Sequence, residues 1–248
     1  MPLQVVPVRC LKDNYAYLVH GNGETALIDA PEAAPILAAL EQRGWQLNLI
    51  ALTHHHDDHI QAAEEIARAT GAKIAGNGDD AKRLPPLDIA VRPGETLTIC
   101  GEDADVIDVS GHTIGHVAFS LPQSRIAFTA DSLMGMGCGR LFEGTPEMMW
   151  QSLSALNALP DDTLICSGHD YGDGNGAFAL SVDPENADLK DRLSGLSSDR
   201  SLAAVATLAT ERATNPFLRP SALAASLGME GRPDVDVFAA LRKMKDNF

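Results

Sequence analysis

The chain has 248 residues, 45% hydrophobic and 21% charged, which excludes a disordered or fibrous chain and fits one large domain or one domain with an appendage. No apolar run reaches the roughly 18 residues of a membrane span, and the opening MPLQVVPVRC lacks the basic flank and long apolar stretch of a signal peptide, so a cytoplasmic protein that does not enter a membrane is expected. The formal net charge of −15 opposes binding to nucleic acid or an anionic membrane surface.

The first half reads as strands with helices inserted. Leu3–Arg9 and Tyr15–Val19 are strand-like, Gly21-Asn22-Gly23 is a turn, and Thr25–Asp29 is the returning strand. Pro31 stands where a helix can begin, Pro35–Arg43 has helical spacing, and Gly44 is a stop. Leu47–Leu52 predicts a short buried strand, and Asp58–Thr70 predicts one helix ended by Gly71. Leu97–Cys100, Asp105–Val109, Val117–Leu121 and Arg125–Thr129 are four further strand candidates. Pro146–Leu159 predicts an amphipathic helix and Thr163–Cys166 another strand.

After Tyr171 the texture changes. Gly172–Gly176, GDGNG, has the composition of a flexible hinge. Beyond it Ala187–Leu193, Ser201–Ala213 and Val235–Met244 are helical patterns with almost no strand-like alternation. Two domains are expected, a mixed αβ part at 1–171 and a small helical part at 172–248. Cys10, Cys100, Cys138 and Cys166 form no C-x-x-C pair, which argues for reduced, mostly buried thiols rather than a thiolate metal site.

Histidine is the informative residue. Of eight, four fall within positions 54–59, in Thr53-His-His-His-Asp-Asp-His59, after a strand and before a helix. Alternate residues of an extended turn project the same way, so His54 and His56 pair, with Asp58 and His59 at the helix entrance. A merely polar loop, or an Asp58 that only caps the helix, is the plainer alternative. His112, Asp131 and His169 each follow a predicted strand as well, and four strand ends delivering imidazole or carboxylate argue for a metal site. A catalytic zinc takes about three protein ligands. Seven donors therefore fit two ions sharing one carboxylate, with Asp131 the preferred bridge and Asp58 not excluded. His55 should point away from its neighbours, His116 should support the site rather than ligate, and Asp57 should be exposed. Asp29, at a strand end, either orients a ligand histidine or caps the next helix.

Thr-His-His-His-Asp-Asp-His resembles the T-H-x-H-x-D-H signature of the metallo-β-lactamase superfamily, and further segments are similar to glyoxalase II, the hydroxyacylglutathione hydrolases. These are Asp13-Asn14-Tyr15, Phe128-Thr-Ala-Asp-Ser-Leu133, Gly137-Cys-Gly-Arg-Leu-Phe-Glu-Gly-Thr145, Gly168-His-Asp-Tyr171, Asn215-Pro-Phe-Leu-Arg219 and Leu241-Arg-Lys-Met-Lys-Asp246. The resemblance covers essentially the whole chain. It implies an α+β fold, a four-layer αββα sandwich with a small C-terminal helical domain. It implies that His54, His56 and His112 hold one metal, that Asp58, His59 and His169 hold the other, and that Asp131 bridges them. It also implies substrate contacts by Arg140, Phe142, Tyr171, Arg242 and Lys245. Departures from the family pattern are Asp57, Gln61-Ala62, Ala130 and Ser132 around Asp131, Phe142 where some members have Tyr, and Gly172. None removes a metal ligand.

The implied reaction is hydrolysis of S-(2-hydroxyacyl)glutathione, such as S-D-lactoylglutathione, to glutathione and D-lactate, the second step of methylglyoxal detoxification. Two divalent metals per chain, zinc first and iron or manganese next, would activate a bridging hydroxide at Asp58 and Asp131 as the nucleophile. The glutathione thioester is anionic, and the i, i+3 cations Arg242 and Lys245 share a helix face to meet it. The chain is read as a monomer. The main rival is a one-iron persulfide dioxygenase of the same fold, which lacks both the full second ligand set and the helical appendage.

Overall fold

The computed structural model describes residues 3–196 and 203–248. These divide into two compact units, one of residues 3–108 and 115–129, the other of 109–114, 130–196 and 203–248.

The first unit is built on two sheets. In one, β1 (Gln4–Cys10), β2 (Asn14–Gly21) and β3 (Glu24–Ile28) run antiparallel, with Tyr17 opposite Ile28. Asn22 and Gly23 make the β2–β3 turn with φ of 53° and 81°, the left-handed pair that a two-residue hairpin requires. Then α1 (Ala33–Arg43) ends on Gly44, and β4 (Leu49–Ala51) joins β3 in parallel. The helical segment after it is broken: α2 is Asp57–Ile60 and α3 is Ala63–Thr70. β5 (Lys73–Asn77) and β6 (Ile89–Val91) extend the parallel side. β7 (Thr96–Ile99), β8 (Glu102–Asp108), β9 (Val117–Leu121) and β10 (Ile126–Ala130) follow as an antiparallel run.

Strand alternation assigns the faces. Leu18, Leu27 and Ile50 share one apolar cluster with Ile36 and Leu40 of α1 and Ile66 of α3. From the opposite face Tyr17 meets Phe128 of β10 at 5.5 Å between ring centres. This unit is thus layered helix, sheet, sheet.

Tertiary hydrogen bonds explain why the single helix expected over Asp58–Thr70 is two. In an unbroken helix the amide of Ala62 would donate to the carbonyl of Asp58. Instead it donates to Ala30 O at 3.0 Å, Ala30 N donates to His59 O at 2.7 Å, and Asn14 Nδ2 donates to Asp58 O at 3.0 Å. The chain is pinned at this point by residues more than twenty positions away.

The second unit contains the hairpin β11 (Leu133–Met134) and β12 (Gly137–Cys138), then α4 (Pro146–Asn157), capped by Thr145 Oγ1 on Met148 N. β13 (Leu164–Ser167) follows, then α5 (Gly172–Val182), α6 (Ala187–Leu196), β14 (Val205–Thr207), α7 (Leu208–Thr214), α8 (Pro220–Leu223) and α9 (Asp234–Asp246). Two expectations are corrected. GDGNG is the first turn and a half of α5, not a hinge. Its glycines allow close packing: a Cβ on Gly172 would lie 2.8 Å from Ala203 Cβ, and one on Gly176 would collide with Leu193. The helix expected over Ser201–Ala213 begins outside the described residues, and Val205–Thr207 within it is a strand. β14 pairs antiparallel with β13, Cys166 opposite Val205, so sheet pairing overrides the local pattern. Asn215 Nδ2 donates to Met134 O and Gly137 O at 3.0 and 2.9 Å, which ties the β11–β12 hairpin to the helices that follow.

Candidate metal centre

In the first unit the donor-bearing turn leaves β4 and is held at once. Asp29, forced to φ 58° at the end of β3, accepts Thr53 N on Oδ1 and Thr53 Oγ1 on Oδ2, both at 2.8 Å. Because the Thr53 hydroxyl proton goes to Asp29, its oxygen accepts from His54 Nδ1 at 3.1 Å. The proton of His54 is thereby placed on Nδ1, and Nε2 faces His56 Nδ1 at 3.2 Å. His59 Nδ1 donates to Asp29 Oδ2 at 2.8 Å, so its Nε2 is likewise the donor-competent nitrogen. That atom stands 4.0 Å from Asp58 Oδ2. His54, His56, Asp58 and His59 are therefore brought together. His54 and His59 are fully buried.

The neighbouring residues fall as expected. His55 turns away, with Nδ1 3.3 Å from Asp80 Oδ2. His116 is buried and stacks on His54 with ring centres 4.5 Å apart and planes within 9°. Asp57 is exposed. The alternatives for Asp29 resolve in favour of orienting: it holds His59 and Thr53. Asp58 does not cap a helix; the residue in that place is His56, with no side-chain cap.

In the second unit one carboxylate oxygen organises two imidazoles. Asp131 Oδ2 lies 3.4 Å from His112 Nε2 and 3.2 Å from His169 Nε2. His112 Nδ1 donates to Arg140 O at 2.8 Å, which leaves Nε2 as its donor-competent atom. Gly168 N donates to Ala130 O at 2.9 Å and so sets His169 beside Asp131. Gly139 is required here, because a Cβ on it would collide with the Asp131 carbonyl and lie 2.9 Å from His112 Nδ1. All three donors are buried.

The predicted substrate residues lie in this unit. Phe142 N donates to His112 O at 3.3 Å, and its ring, 64% exposed, meets the His112 ring edge-on at 5.2 Å. Tyr171 is partly exposed and stacks on His169 at 4.6 Å. Arg140 is exposed. Lys245 Nζ donates to Gly174 O at 2.7 Å and sits over the rings of Phe178 and Phe248. Burial lowers its pKa, and the charges of Arg242 and Arg140 lower it further. Arg242 is buried: Nη1 donates to Cys138 O at 2.8 Å, Nη2 to Asp246 Oδ1 at 2.8 Å, and the guanidinium covers Phe217.

These donors fit divalent metal ions. Imidazole and carboxylate are the appropriate ligand types. His54, His59 and His112 each have one ring nitrogen committed to a protein oxygen and the other turned toward a further donor atom, the arrangement of metal-ligating histidine. Sequence reasoning gave no role to Asn14 or Thr53. Their partners are set by hydrogen bonds that spacing does not reveal.

Residues 12–169 match the metallo-β-lactamase superfamily, and residues 170–248 match the hydroxyacylglutathione hydrolase C-terminus. Among curated proteins, the hydroxyacylglutathione hydrolases of Fuscovulum blasticum and Cereibacter sphaeroides are 56% and 53% identical, each aligned over the full length of both chains. Among solved structures, ETHE1 from Myxococcus xanthus superposes with a TM-score of 0.69 at 22% identity, covering 98% of this chain and 90% of that one. TTHA1623, in a di-iron-bound form, superposes with a TM-score of 0.63 at 25% identity, covering 88% of this chain and all of that one.

Proposed function

The chain belongs to the hydroxyacylglutathione hydrolases of the metallo-β-lactamase superfamily, and on that premise we propose that it hydrolyses the thioester of S-(2-hydroxyacyl)glutathione, S-D-lactoylglutathione in the case of methylglyoxal detoxification, to glutathione and the 2-hydroxy acid. The observation that carries this reading is the Asp131 oxygen set 3.4 and 3.2 Å from the Nε2 atoms of His112 and His169, in a chain whose relatives of this name match end to end.

The ligand assignment is part of the proposal: His54, His56 and His112 for one ion, Asp58, His59 and His169 for the other, Asp131 shared. Zinc suits these donors, and so do iron and manganese; the di-iron form of TTHA1623 supports iron as the alternative. When bound, such ions supply a nucleophile at neutral pH by lowering the pKa of water to about 7, and they polarise the carbonyl under attack.

The protein's own groups do the rest. Asp29 and Thr53 hold the rings of His59 and His54 at fixed angles. Arg140 and Lys245, with Arg242 behind them, concentrate positive charge in a chain of net charge −15 and so attract the glutathione carboxylates. Phe142 and Tyr171 offer exposed aromatic surface to the rest of the thioester. The leaving thiol has an ordinary pKa of about 8.5, so it departs as thiolate without a dedicated acid. We assign residues 172–248 to substrate binding and read the protein as a cytoplasmic monomer. Its four free, buried cysteines support a reducing compartment, and no described helix is long and apolar enough to cross a membrane.

The test is to mix the metal-loaded protein with S-D-lactoylglutathione and follow thioester absorbance and released thiol. Oxygen uptake on glutathione persulfide serves as the control. Thioester loss with equimolar thiol and no oxygen uptake is the expected result. Oxygen consumption on persulfide, with the thioester untouched, would overturn it.

A further inference from the structure

Of the groups surrounding the donors in the first unit, Asn14 is the one whose role is not yet explained. It opens β2, is 3% exposed, and stands opposite Cys10 in the β1–β2 ladder. Its carboxamide nitrogen donates twice to a single residue, to Asp58 O at 3.0 Å and to Asp58 Oδ2 at 3.0 Å. Both acceptors are oxygens, so only the amino end of the carboxamide can face them. One bond pins the backbone of Asp58 and the other pins its side chain, which fixes the torsions between them.

Asn14 also has a counterpart. β2 and β3 are antiparallel neighbours, so the first residue of β2 and the residue following β3 lie at the same end of the sheet. That second residue is Asp29, which holds His59 through Nδ1. The two anchors are chemically matched to what they hold: an imidazole is oriented by an acceptor, a carboxylate by a donor. Without Asn14 the Asp58 side chain, 42% exposed, would sample several rotamers, and its carbonyl would lose its partner, because Ala62 N is already engaged by Ala30 O.

We propose that Asn14 is a positioning residue for the metal site that contains Asp58: its double hydrogen bond aims the Asp58 carboxylate and holds the backbone that carries it. This rests on the two-metal reading above, with Asp58, His59 and His169 as one ligand set. Outer hydrogen-bond partners of metal ligands typically contribute about 10- to 100-fold in metal affinity. The effect of removing Asn14 should therefore fall on one ion and spare the other.

The experiment titrates metal-free wild type, Asn14→Ala and Asn14→Leu with zinc against a competing chelator, and with cobalt(II) followed by its visible absorbance. Thermal unfolding of each metal-free protein is measured alongside. Leu keeps the branched heavy-atom skeleton of Asn without its N–H groups, so it fills the site but cannot position Asp58. The expected result is two binding steps in wild type, one of them weakened about 10- to 100-fold in both variants, the other within about threefold of wild type, and an altered cobalt(II) spectrum for the weakened step. Rescue of the weakened step by Leu, or equal weakening of both steps in parallel with the fall in Tm, would make Asn14 a packing residue and overturn the proposal. A single binding step in fully active wild type would instead overturn the two-metal reading on which it rests.

Discussion

The turn at residues 54–59 and the last helix, α9, both bury polar groups, and they satisfy them in opposite ways. In the turn the anchors engage one side of each group: His54 and His59 through Nδ1, Asp58 through Oδ2 and its carbonyl. His54 Nε2 then faces His56 Nδ1, and His59 Nε2 faces Asp58 Oδ2. In α9 the guanidinium of Arg242 is spent internally, on Cys138 O, Asp246 and the face of Phe217. Lys245, three residues on, is held through a single carbonyl. A polar group anchored from one side turns its other face toward neighbouring donors, whereas one engaged on every side, as Arg242 is, serves mainly to hold the fold. The i, i+3 pair that looks equivalent in sequence is therefore not equivalent in the protein.

The largest effect expected comes from the residue that holds two imidazoles with one oxygen. Asp131→Ala should reduce thioester hydrolysis to background and lower bound metal below two ions per chain by elemental analysis. Full metal content with activity lost would show that Asp131 acts on the reaction alone.

Arg242 and Lys245 test the contrast directly. Arg242→Ala leaves a buried carbonyl and Asp246 without their partner, so urea denaturation should show a loss of about 2–4 kcal/mol. Any rise in KM would then be accompanied by instability. Lys245→Ala should stay within about 0.5 kcal/mol of wild type, while KM for the glutathione thioester rises about tenfold and kcat holds. A small thioester without the glutathione carboxylates should be indifferent to it. If both variants behave alike, in stability and in KM, the distinction between the two cations fails.

The cysteines supply the smallest effect and a reference case, buried groups whose dominant influence is burial itself. Burial raises the thiol of Cys10 to about 12 and that of Cys100 to about 11, and raises Cys138 and Cys166 as well. The folded chain therefore holds these protons more tightly than the unfolded chain, whose thiols titrate near 9. Their contribution to stability is complete below pH 9 and is lost progressively as pH rises toward 11–12. The denaturation midpoint should decline over that window, and iodoacetamide at pH 8 should label the native protein only as fast as it unfolds. Rapid labelling of a native thiol at pH 8 would contradict the burial described.

Much of the site was legible because its chemistry is local. Four histidines in positions 54–59 announce a donor cluster whatever surrounds them, and strand ends at His112, Asp131 and His169 could be read from short apolar runs. What was illegible depends on distant partners. β5 and β6 are short strands stabilised by parallel neighbours, and nothing in Lys73–Asn77 alone marks it as one. The break between α2 and α3 is made by Ala30 and Asn14, against a sequence whose periodicity runs straight through. Gly172–Gly176 read as looseness because glycine is permissive in isolation. In the protein the same residues let α5 pack close to Leu193 and Ala203. Val205–Thr207 is a strand because β13 offers it a ladder.

The clasp around Asp58 bears on how this motif can be transplanted. A designer who copies the seven residues Thr53–His59 onto another strand–helix junction obtains the donors but not their aim. On a host lacking an acceptor at the end of one strand and a carboxamide at the start of its antiparallel neighbour, the His59 ring and the Asp58 carboxylate would lose the partners that aim them. The smallest portable unit is the β2–β3 hairpin together with the turn.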